Sequence, residues 1–84
     1  MRSQLINKLA FEAIESLGES TKREQCDYVL DRLVEMGEIA KFEPHQRPNY
    51  HKLISYGFET TALKEQNLVS NEKRGNKWIW FINN

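Results

Sequence analysis

Eighty-four residues carrying twelve acids and twelve bases leave room for one small core and no second domain. The chain is 39% hydrophobic and 29% charged, as globular proteins are, and no apolar run nears the ~18 residues of a membrane span. Zero net charge argues against a generic polyanion binder.

The charge is unevenly distributed. Residues 1–40 hold five Lys or Arg against eight Asp or Glu, whereas residues 41–84 hold seven against four. The stretch from Pro44 to Tyr56 has no acid at all. Such a bipolar molecule can turn its basic side to phosphates and its acidic side to water, and an ordinary solvated surface is the plainer reading. The amino terminus lacks the basic start, apolar run and cleavage site of a signal peptide, and Cys26 has no partner for an internal disulfide. Both point to a cytoplasmic protein. Cys26 falls inside a helical apolar pattern, where a thiol acts as a small hydrophobe rather than a nucleophile.

The first helix is predicted over about residues 3–17. Leu5, Ile6, Leu9, Ala10, Ala13, Ile14 and Leu17 recur on one helical face, and Gly18 supplies the stop. Thr21-Lys22-Arg23-Glu24 matches a capping box, with Ser20 a competing cap. It opens a second helix over about 21–36 that buries Val29, Leu30 and Leu33 and ends at Gly37. Pro44 and Pro48 then interrupt the chain, Phe42 tucks beneath the connection, and Pro48 suits the first turn of a short helix. A third helix over about 50–67 follows, with Leu53, Ile54, Phe58, Ala62 and Leu63 inward. Gly57 inside it costs about 1 kcal/mol relative to alanine; alternatively the helix proper begins near Gly57.

The last segment, about 68–82, reads as a hairpin: a strand at Leu68–Asn71, a turn at Glu72–Asn76 and a returning strand at Lys77–Ile82. The whole is an α+β domain over residues 1–84, three helices with a carboxyl-terminal antiparallel β-hairpin. That is the order of a small winged helix-turn-helix.

Tyr56-Gly57-Phe58, Ala62-Leu63-Lys64, Asn67-Leu68-Val69 and Arg74-Gly75-Asn76-Lys77-Trp78 together resemble the amino-terminal winged-helix domain of Mrr-type restriction endonucleases. Leu17-Gly18-Glu19 and Pro44 fit the upstream half of that pattern. Phe58 stands where the family usually has tryptophan, Asn67 stands where glycine closes the helix, and the wing has one extra residue before Trp78. Asparagine tolerates the left-handed conformation that a helix end demands. No nuclease segment accompanies the motifs, so the larger members' chemistry is not expected of this chain. The resemblance implies DNA binding and places Trp78 and Trp80 inward, with Ile79 and Phe81 on the open face or beneath the first helix.

In a DNA-binding reading the third helix enters the major groove and the wing follows the backbone or minor groove. Thr60 then contacts base edges or phosphate, while Lys64 takes phosphate. Arg47, His51 and Lys52 lie near the start of that helix, and Lys73, Arg74 and Lys77 serve the wing. A competing reading is a protein-interaction or dimerisation domain without nucleic acid, docking through Ile79 and Phe81 on a second copy or a larger protein. Catalysis finds little support. His45, His51 and Cys26 lack metal-ligand spacing, and Glu24, Asp27 and Asp31 share a helix face in the manner of a solvated acidic stripe. No catalytic residue, metal or cofactor is expected. The preferred expectation is a non-catalytic DNA-binding or regulatory module acting on double-stranded DNA, in the manner of transcription regulators.

Overall fold

A computed structural model describes the backbone of residues 2–53 and 63–83 and the side chains of residues 4–50 and 63–83. Two helices come first, α1 at Arg2–Leu17 and α2 at Lys22–Glu35. A short 3-10 turn, Pro44–Gln46, leads directly into α3 at Arg47–Leu53. Strands β1 (Val69–Arg74) and β2 (Lys77–Ile82) form an antiparallel hairpin at the end. The domain is therefore α+β, as the sequence indicates. No described helix is long and apolar enough to cross a membrane.

The helix boundaries follow from their caps. Thr21 is the N-cap of α2: its hydroxyl accepts from the Glu24 N–H at 3.3 Å, and the Glu24 carboxylate accepts from the Thr21 N–H at 3.0 Å. At the other end Gly37 lies at φ +75°. The Gly37 N–H donates to Val34 and the Glu38 N–H to Leu33, so two otherwise orphaned carbonyls are satisfied. The same pair of bonds recurs at Asn67, φ +61°, whose N–H donates to Lys64 while the Leu68 N–H donates to Leu63. Asparagine thus closes the helical turn at 63–65, the role the sequence assigns to it. Pro48 sits in the first turn of α3, where its missing N–H costs little. This helix begins at Arg47, three residues before the predicted start; residues 54–62 of the 50–67 prediction, including Gly57 and the stripe Ile54, Phe58 and Ala62, lie outside the described residues.

The core joins Ile6, Leu9, Ala10, Ala13 and Ile14 of α1 to Cys26, Val29, Leu30 and Leu33 of α2, with Leu63, Val69 and Trp80 from the carboxyl-terminal part. Leu17, the last member of the expected α1 stripe, stays 44% exposed. Burial pushes the Cys26 thiol up to about 12, with the neighbouring Asp27 charge adding to the effect, so no thiolate is available near neutral pH. Phe42 stacks on Tyr50 with centroids 4.4 Å apart, and both pack against the core.

The hairpin departs from expectation in one respect. Its strands run to Arg74 and resume at Lys77, leaving a two-residue turn at Gly75-Asn76 rather than a five-residue loop. Gly75 at φ +61° supplies the backbone that a tight hairpin turn needs. Arg74 is consequently a paired strand residue opposite Lys77.

What fixes the hairpin to the helices is a polar knot in the interior. Ser20 and Trp80 exchange both backbone hydrogen bonds, at 2.8 and 3.1 Å, so the link between α1 and α2 acts as a one-residue third strand. Gln25, fully buried, donates from Nε2 to the Ser20 carbonyl at 3.0 Å and to its hydroxyl at 2.8 Å. Removing that carboxamide leaves the buried Ser20 hydroxyl oxygen without its donor, takes one of two donors from the Ser20 carbonyl, and opens a cavity. Gln25→Ala is therefore expected to lower stability by about 2–3 kcal/mol in urea unfolding. A loss below roughly 0.5 kcal/mol, the scale of an ordinary surface change, would contradict the role given to Gln25.

Candidate nucleic-acid interface

The hairpin ladder sorts its residues into two faces. Val69, Asn71 and Lys73 stand opposite Ile82, Trp80 and Trp78, on the face that meets the helices. Trp80 is 4% exposed, but Trp78 lies beyond the edge of the core and is 52% exposed. The inward placement of both tryptophans is thus corrected: one is buried and the other is open. Ile79 and Phe81, on the opposite face, are half-buried, so the apolar strand face proposed for docking is partly covered.

Two of the expected phosphate contacts are occupied within the molecule. Arg47 reaches back to α2, with Nη1 3.1 Å from Asp27 and Nη2 3.4 Å from Asp31, and its guanidinium lies 5.2 Å from the Phe42 ring centroid. Two members of the acidic stripe on α2, Asp27 and Asp31, thus hold Arg47 of α3 while remaining in contact with solvent. Arg74 forks onto Glu19, at 3.0 and 2.7 Å, and also binds Glu72. Its two acids and one base leave a net negative charge at that point. Both ion pairs join the acidic first half of the chain to the basic second half. Part of the bipolar charge of the sequence, Arg47 and Arg74 on one side and Asp27, Asp31 and Glu19 on the other, thus bridges the two halves.

Lys64, Lys73 and Lys77 are exposed, and none forms an ion pair within 4 Å among the described residues. Thr60 lies outside the described residues, as do the side chains of His51 and Lys52.

Between β2 and the start of α2 lies an open groove of about 810 Å³. Lys22, Arg23 and Lys77 line it, together with Trp78 and Trp80 and the acids Glu24 and Asp27. Lys22 places its ammonium 5.0 Å from the Trp80 ring centroid. The indole N–H of Trp80 has no acceptor among the described residues, so packing and this cation hold the ring. The acids have partners already. Glu24 accepts from the Thr21 N–H and hydroxyl, which hold its carboxyl below the ordinary 4.5, with Lys77 near enough to add to the effect. Asp27 is bonded to Arg47.

Lys22 and Arg23 were not singled out from the sequence as contacts, although a signal was present. They fill the first turn of α2, where the helix dipole favours acids and penalises cations by about 0.3–1 kcal/mol each. Lys22 offsets that cost on the Trp80 ring, whereas Arg23 has no ion partner among the described residues, and a local rule broken there without structural gain is a mark of functional surface. Trp78 was missed because strand alternation assigns a face but not where the core beneath that face ends.

Comparison with protein-family models, curated proteins and solved structures gave no match to this chain.

The Glu19–Arg74 pair has a pH signature. Hydrogen bonding and charge from Arg74 lower the Glu19 carboxyl below its ordinary 4.5. A carboxylate lowered in the folded state adds stability above the unfolded value, and the gain is lost as pH falls through the folded one. Glu12, beside Arg32 and Tyr28, and Glu24 act in the same direction. Stability is expected to be level from neutral pH to about 5 and to fall in more acid solution. Glu19→Gln is expected to be less stable at neutral pH and to show a shallower acid decline in urea midpoints. An unchanged pH profile in that variant would mean the pair contributes nothing.

Proposed function

We propose that this chain is a non-catalytic winged-helix module that binds double-stranded DNA mainly through backbone phosphates. The hairpin is its wing, and the groove beside the wing is its principal phosphate contact. One observation carries the reading. Lys22, Arg23 and Lys77 line one groove with the exposed Trp78, Lys73 pairs with that tryptophan across the ladder, and none of the four has an ion partner among the described residues. The order of helices and hairpin, with Ser20 adding a strand-like link to β2, supports the winged-helix topology. In this arrangement the segment around Thr60 enters the major groove, and Lys64 takes phosphate at its end. Arg47 and Arg74 serve as internal braces that position the helix and the wing.

The competing reading, a protein-interaction or dimerisation surface, draws on the exposed Trp78 and on Leu68, 41% exposed. The charges around Trp78 favour DNA, because a purely apolar partner leaves four cations unmatched.

Fluorescence anisotropy with a labelled random-sequence duplex, taken from low to moderate salt, tests the proposal. Each neutralised phosphate contributes about 0.9 to the slope of log affinity against log salt. Lys22→Ala, Lys73→Ala and Lys77→Ala are each expected to weaken binding and to reduce that slope by about 1. Charge-retaining Lys77→Arg is expected to bind normally. Absence of binding at low salt and micromolar protein, or affinity indifferent to salt, would overturn the DNA reading in favour of a protein partner.

A further inference from the structure

We propose that Trp78 is a stacking platform for an unpaired nucleobase, with the adjoining groove holding the phosphates of the single strand that carries it. The inference rests on the nucleic-acid reading above and narrows it to a ligand form that duplex binding alone does not require.

Three features lead there. The indole of Trp78 lies on the face of the hairpin that meets the core, yet remains half-exposed at the rim of the groove. Lys73 is its direct neighbour across the ladder, and Lys77 precedes it on β2. Lys22 and Arg23 line the same groove from α2. An exposed aromatic ring at the rim of a groove lined by three cations, with a fourth across the ladder, offers the pairing that single-stranded nucleic acid requires, a ring for the base and charge for the phosphates.

The groove's cations outnumber its unpaired acids: Asp27 is paired with Arg47, whereas Glu24, which keeps its charge on the neutral Thr21, stands against Lys22, Arg23 and Lys77. At about 810 Å³ the groove falls within the range of small-molecule sites and has room for a nucleotide. A closed duplex cannot use the platform in the same way. Its internal base faces are covered by their neighbours, so only a single strand, a frayed end or an extruded base exposes a face to Trp78.

The test compares three probes: a short oligothymidylate, an abasic oligomer of the same length, and a blunt random-sequence duplex. Oligothymidylate is expected to quench the tryptophan emission and to bind about tenfold more tightly than the abasic strand. Trp78→Ala is expected to abolish both the quench and that preference, bringing thymidylate affinity down to that of the abasic strand, while leaving the circular dichroism spectrum unchanged. Trp78→Phe, which keeps an aromatic face, is expected to retain part of the preference. Equal affinity for the thymidylate and abasic strands would overturn the stacking inference while leaving duplex binding in place. A Trp78→Ala variant that loses duplex and single-strand binding alike would also overturn it, because the residue would then act through the fold. Failure of all three probes to bind would remove the nucleic-acid reading itself.

Discussion

The exchange of two backbone hydrogen bonds between Ser20 and Trp80 is the constraint on which the arrangement of this domain depends. An isolated two-stranded hairpin is at best marginally stable in water. Here β2 gains an outer partner at one residue, and Gln25 supports that residue from within α2. Trp80 enters the core at the same place. Because the knot is buried, its hydrogen bonds do not compete with water, and breaking it exposes groups that find no other partner in the interior. The hairpin is thus attached at its middle by backbone and nearer its tip by Arg74 to Glu19, leaving Trp78 at the rim between two fixed points.

The distribution of charge follows from the same architecture. Arg47 and Arg74 are the most persuasive phosphate ligands in the sequence, since a guanidinium matches a phosphate with two donors. That fork also matches carboxylates, and the acidic half of the chain supplies them at Asp27, Asp31 and Glu19. Lysines remain on the outside at Lys22, Lys73 and Lys77, together with Arg23. Lysine is a point charge that suits a backbone followed without regard to sequence. The proposed interface is accordingly built for phosphate anchoring first, and any base reading must come from the segment around Thr60 or from Trp78.

Much of the fold was legible in local chemistry. The Thr21–Glu24 box, the stops at Gly18 and Gly37, Asn67 at a helix end and Pro48 in a first turn each depend on a few adjacent residues. The extent of the hairpin was less clear, because Glu72, Lys73 and Arg74 carry turn-like polarity yet pair with Ile79, Trp78 and Lys77. Their strand state is set by the tight Gly75-Asn76 turn and by neighbours across the ladder. The candidate site was legible only in part. Lys73 and Lys77 could be read from the wing. The internal use of Arg47 depends on residues twenty and sixteen positions away, and that of Arg74 on one fifty-five away. Charge pairing over such separations leaves no local pattern.

Amide hydrogen exchange at Ser20 and Trp80 is the most direct measurement of whether the hairpin and helices form one cooperative unit. Protection of both amides equal to that of the α1 and α2 core, lost only with global unfolding, is the predicted result. Exchange of either amide as fast as the Gly75-Asn76 turn would show a hairpin that detaches while the helices remain folded, and would contradict the account.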